Sequence, residues 1–280
     1  MTGKPQSAPA TATGPGETML ALALGEAVGM WGERLVAAYA LGSLAHGGFS
    51  PHVSDVDFGV VLADPIEAGD GAKVEALVAG LKASGTPFAD RLSVFWGSPA
   101  TIGGKAQGGR FPPVDLIDLK EHGRLLAGSD VRDAVRVPSA AELVVAAARH
   151  ALARFSSDEC VEQCRDPTAL IAAGVRALTK RVLFPVRFLY TARTGLIGLN
   201  DAAVAHFVAM ERGPVAELAA EALNWRYHPF EPGDASVHDK AARGLMPVTV
   251  LFVEEYEMRL RALGELELAD SFARWRTRLS

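Results

Sequence analysis

Ala40-Leu-Gly-Ser-Leu-Ala-His-Gly-Gly-Phe-Ser-Pro-His-Val-Ser-Asp-Val-Asp-Phe-Gly-Val-Val61 decides how the rest of this chain is read. An apolar run, Leu35 to Leu41, ends in Gly42-Ser43. A turn of mostly small residues follows, and Ser54-Asp55-Val56-Asp57 opens a second apolar run. Two carboxylates at i and i+2 of a strand share one face, roughly 6.5–7 Å apart along the chain. That spacing suits a pair of ligands to hard, oxygen-seeking divalent ions. Val56, Phe58 and Val60 alternate with them and point into a core. Gly42-Ser43 reads as a strand-to-helix turn whose free amides can receive a phosphate. A phosphate cradle beside metal-binding carboxylates implies nucleotide chemistry.

Working outward, the flanking segments give an α+β chain. Helical spacing over Thr18–Trp31 and over 71–84 brackets strands at Leu35–Leu41 and Val56–Leu62, and Leu92–Trp96 is a third strand. Ser98–Pro113 is a long loop rich in glycine, whose Lys105 and Arg110 fit either closure over a substrate or solvated loop charge. Residues 114–126 fit either a strand, through Val-Asp-Leu-Ile-Asp, or a helix, through Leu116, Leu119, Leu125 and Leu126. After Pro138 the pattern is helical only: 140–155, 167–194, 201–212, 215–225 and 245–280, with Gly195 and Gly213-Pro214 as stops. The expected organisation is a tail at 1–17, an α/β catalytic domain with a small mixed sheet at 18–137, and an all-helical domain at 138–280.

Bulk properties narrow the class. At 280 residues and 49% apolar the chain can bury a substantial core, and a net charge of −5 argues against a broad nucleic-acid-binding face. Cys160 and Cys164, four apart, make no disulfide framework and favour a reducing compartment. Residues 1–17 are rich in Gly, Pro, Ala, Ser and Thr and read as a disordered tail without a targeting h-region. No apolar stretch reaches the ~18 residues of a membrane span, so a cytoplasmic protein is expected.

Gly42-Ser43, eleven residues, then Asp55-Val-Asp57 resembles the core of the polymerase-β-like nucleotidyltransferase superfamily. The later half is similar to its streptomycin/spectinomycin adenylyltransferases, through Arg187-Phe-Leu-Tyr-Thr-Ala-Arg-Thr-Gly195, Asn200-Asp201-Ala-Ala and Ala209-Met-Glu-Arg-Gly-Pro214. Lys120-Glu-His-Gly-Arg-Leu-Leu-Ala-Gly128 resembles the end of the family's catalytic domain. The resemblance implies transfer of a nucleoside monophosphate, AMP from ATP, to the hydroxyl of a small acceptor bound between two domains. It implies two Mg²⁺ ions on Asp55 and Asp57, phosphate contacts from Ser43 and Ser54, and Arg187 on the triphosphate; a cap of the strand turn is the competing reading of Ser54. Tyr227 falls close to a tyrosine of the family's nucleotide-facing region, and core packing is its competing reading.

The departures are specific. By register, the family's third carboxylate falls at Ser93, a hydroxyl that can neither carry the charge nor take the proton. Asp115 is the first candidate to replace it, provided residues 114–118 are extended; Asp118 and Asp90 follow. A phosphate-binding lysine is replaced by Asn200, and the acid that recognises the amino sugar falls near Ala173. These losses keep open a second reading, a nucleotidyltransferase-like chain that binds a nucleotide or a partner without turning over. His46, on the turn, reads as an exposed loop histidine within reach of a phosphate.

Overall fold

The computed structural model describes residues 14–280; the expected tail at 1–13 lies outside them, and 15–17 already belong to the first helix. In chain order the elements are α1 (Pro15–Trp31), β1 (Leu35–Leu41), α2 (Gly42–His46), β2 (Val56–Leu62), α3 (Asp70–Ala83), β3 (Leu92–Gly97), α4 (Pro99–Ile102), α5 (Pro113–His122) and β4 (Arg124–Gly128). Helices α6 (Ala140–Phe155), α7 (Asp158–Arg165), α8 (Thr168–Ala172), α9 (Val175–Thr194), α10 (Asn200–Met210), α11 (Pro214–Asn224), α12 (Ala235–Ala262) and α13 (Leu266–Leu279) follow. The fold is α+β, a small mixed sheet with its helices followed by a helical part.

The four strands run β3-β2-β1-β4, with β1 antiparallel to β2 and β4, and β2 parallel to β3. Strand alternation divides the sheet into two faces. Val56, Phe58, Val60 and Leu62 are fully buried on one face, against Met19, Leu20 and Ala23 of α1 and Val74, Leu77 and Leu81 of α3. Each such side chain contributes roughly 1.5–3 kcal/mol by leaving water. Tyr39, Leu41 and Val61 line the other face, under Leu116 and Leu119 of α5. Asp57 shares the parity of Val61, so alternation directs it toward α5.

Residues 113–122 are helical, not extended. Pro112-Pro113 supplies proline at the first helical position, where its missing N–H is no loss. A separate strand, β4, then closes the sheet edge. The glycine-rich loop is also more ordered than a lid: Arg110 exchanges both backbone hydrogen bonds with Trp96, at 3.1 and 2.7 Å, pinning the loop to β3. The segments read as single helices over 167–194 and 245–280 are each broken by a left-handed glycine, Gly174 (φ 94°) and Gly264 (φ 78°). The last long helix also starts ten residues earlier than its apolar stripe suggests.

A large apolar cluster lies wholly within residues 144–279, centred on Phe252, Tyr256, Phe272 and Trp275. Ile117 of α5 packs with Leu143 and Ile197, joining the sheet side to the helices. A polar knot joins them again. Buried Arg226 donates to the Gly48 carbonyl at 2.5 Å and to Ser54 Oγ at 3.3 Å, while Ser50 Oγ donates to the Arg226 carbonyl. No described helix is long and apolar enough to cross a membrane.

Candidate active site

The carboxylates meet at the C-terminal end of β1 and the start of β2. Leu41 pairs with Asp57 across the two antiparallel strands, and Ser93 is the parallel partner of Asp57 on β3. Gly42, with φ 57°, turns the chain out of β1. A Cβ there would collide with Asp57 Oδ2, so only glycine lets the turn approach the acid. The Gly42 amide does not face open space: it donates to Asp118 Oδ2 at 2.5 Å. Ser43 follows on α2, half-exposed.

Asp115 owed its place to an extended backbone, and that ground is gone. Helix α5 nevertheless brings two acids to the site, because residues three apart share a helix face. Asp118 is buried at 4% exposure, and its Oδ1 has no hydrogen-bond partner. Burial, Asp57 and Asp118 raise Asp115 well above the usual carboxylate range. Asp57 is pushed up to about 7 by burial and by the carboxylates of Asp55 and Asp118, against the pull of Lys180 and Arg187. Asp90 is exposed, on a short helical turn before β3, and does not join the cluster.

Asp55 is held differently. Arg176 Nη2 meets its Oδ1 at 2.5 Å and Lys180 Nζ meets its Oδ2. Burial lowers the Lys180 pKa despite that contact. Neither cation figured among the sequence candidates, yet the signal was there. Arg176, Lys180 and Arg187 stand at i, i+4 and i+11 of one helix, within about 40° of each other at 100° per residue. Arg187, the one family-matched member, donates Nε to the Gly198 carbonyl at 2.5 Å. Burial and nearby Arg226 lower its pKa, while Asp118, Asp57 and Asp115 oppose the change.

The remaining candidates separate. Ser54 is buried in the knot, accepting from the Ser50 amide at 3.0 Å and from Arg226, the arrangement of a turn cap. Tyr227 is 46% exposed, with the Arg226 guanidinium 5.8 Å from its ring centre, so it is not core. His46 is half-buried, edge-on to His122 at 5.8 Å; burial lowers its pKa against the pull of Asp118. Lys105 is exposed, and Arg110 donates to the Val94 carbonyl at 3.1 Å. Ala173 is exposed at the end of α8, and Asn200 opens α10.

The donor chemistry suits a hard divalent cation. Buried carboxylates that raise one another's pKa, with one oxygen orphaned, hold negative potential that a cation would relieve. Among the described residues, no three acidic, histidine or cysteine side chains already stand together as a ready-made metal cluster.

No family model matches the chain, and no curated protein matches it. Among solved structures, a spectinomycin adenyltransferase from Enterococcus faecialis, determined with ATP and spectinomycin, aligns over 80% of this chain and 95% of its own, with a TM-score of 0.55 at 15% identity. The likeness establishes a nucleotidyltransferase-like fold.

Proposed function

We propose that this protein transfers a nucleoside monophosphate, AMP from ATP, to a hydroxyl of a small acceptor held between the sheet and the helical part. One observation carries this reading: Asp57, beside the Gly42-Ser43 turn, lies within electrostatic reach of Asp55, Asp115 and Asp118, with Lys180 and Arg187 of α9 opposing them. The structural neighbour, solved with ATP and spectinomycin, supports a nucleotide and a small acceptor.

Asp55 and Asp57 would hold two Mg²⁺ ions, with Asp115 or Asp118 completing the set. When bound, the ions supply charge stabilisation at the attacking and leaving oxygens. Arg187 neutralises the triphosphate, and the Gly42-Ser43 turn orients it. The acceptor oxygen forms a bond to the α-phosphorus as the bond to the bridging oxygen breaks and pyrophosphate leaves. The hydroxyl proton passes to a carboxylate; Asp57 and Asp115, both with raised pKa, are the candidates. Most of the acceleration comes from positioning and charge.

A second reading, nucleotide binding without turnover, draws on three details. Asp55 is already neutralised by Arg176 and Lys180, Asp118 occupies the Gly42 amide, and Ser93 stands beside Asp57. Calorimetric titration with ATP, with and without Mg²⁺, separates the two, coupled to pyrophosphate release across a panel of hydroxylated acceptors. Transfer requires Mg²⁺-dependent binding, abolished by Asp57→Asn, and pyrophosphate with at least one acceptor. Metal-independent binding with no product would establish the second reading.

A further inference from the structure

The cationic stripe of α9 has two ends. Arg187 faces Asp57, Asp115 and Asp118, where the nucleotide reading places the triphosphate. Arg176 and Lys180 lie about 10–16 Å away along the helix, at 1.5 Å per residue. Asp55 is their sole acidic partner among the described residues. The fork of Arg176 is only half used, since its Nε is buried without a partner. Arg176 also sits in the first turn of a twenty-residue helix with no acid in that turn and no side-chain cap, which adds to the positive potential.

Commitment of Asp55 to metal ions removes the one carboxylate that both cations contact, leaving Lys180 only the longer-range pull of Asp57. Two half-buried cations without a partner are costly, and a guanidinium fork beside an ammonium matches a carboxylate or phosphate. A polycationic amino sugar meets repulsion at the same place. Resting on the nucleotidyl-transfer reading, we infer that the acceptor is a hydroxylated anion whose carboxylate or phosphate group is seated on Arg176 and Lys180.

The full chain, saturated with Mg²⁺ and α,β-methylene ATP, is titrated calorimetrically with glucose 6-phosphate, gluconate, glucose and glucosamine. At least one of the two anions binds tenfold or more tighter than glucose, glucosamine binds weakest, and the phosphate and carboxylate arms distinguish the two groups. Lys180→Met removes that preference. Glucosamine binding as tightly as the anions, no anion preference, or a preference surviving both Lys180→Met and Arg176→Leu overturns the inference. A second measurement needs no nucleotide: Asp55→Asn frees both cations, so it binds inorganic phosphate at least tenfold tighter than wild type, and Lys180→Met added to it cancels the gain. Absence of that gain also overturns the inference. If the analogue fails to bind while the phosphate gain is present, nucleotidyl transfer falls and the anion site stands. If the analogue binds without an anion preference, the acceptor assignment alone falls.

Discussion

Gly42 and Asp57 approach so closely that a methyl group on the first would overlap the carboxylate of the second. The turn that leaves β1 and the acid that opens β2 are thus one constraint. Gly42→Ala must also hold φ near +57°, where a side chain is strained by about 1–3 kcal/mol. The expected result is a folded but less stable protein with Asp57 displaced and turnover lowered by about 100-fold. Urea denaturation and pyrophosphate release check the two halves; an unchanged turnover would refute the close-approach argument.

Asp57 ties metal-free stability to pH with a definite sign. Its pKa is about 7 when folded against an ordinary value of 3.8. Folding therefore takes up a proton between those limits, and the associated stability, full at low pH, is lost as pH rises toward 7. Asp57→Asn removes the penalty, so the variant gains on wild type in Tm at pH 8 relative to pH 4, in EDTA. Mg²⁺ stabilises the wild type more at pH 8 than at pH 5. A Tm difference that is flat across this range would contradict the assignment.

The Asp55–Lys180 contact joins the sheet side to α9 while both side chains keep partial solvent access, at 27% and 22%. A double-mutant cycle with Asp55→Asn and Lys180→Met should give a coupling of about 1 kcal/mol, shrinking as salt is added. A coupling of zero would mean the contact does not hold the two parts together.

Arg226 serves the opposite role, structural and nearly dry at 4% exposure. Arg226→Met leaves the Gly48 carbonyl and the Ser54 hydroxyl short of a donor and should cost about 2–3 kcal/mol in urea denaturation. Arg226→Lys recovers only part, because an ammonium cannot reproduce the fork. Full recovery would show that charge, not geometry, sets the knot.

Much of this was legible in the sequence. Alternation around Asp55-Val56-Asp57 gave the buried face of β2, and Ser93, the position read for the family's third carboxylate, is paired with Asp57 across β2 and β3. Residues 113–122 resisted reading because Val114, Leu116 and Ile117 satisfy two periodicities at once; the proline pair was the tie-breaker. Arg176 and Lys180 were overlooked because their role depends on a helix crossing to a strand more than a hundred residues earlier. Periodicity finds the stripe but not the partner. For Ser54 the sequence could not choose between a turn cap and a phosphate contact for the same reason, since its hydroxyl answers to Arg226, 172 residues away.

Helix α9 carries Arg176 and Lys180 at one end of its cationic face and Arg187 two residues past an internal proline, Pro185, so both sets of cations belong to one continuous helix. Any coupling between ligands bound at its two ends is reciprocal, each altering the affinity of the other by the same factor.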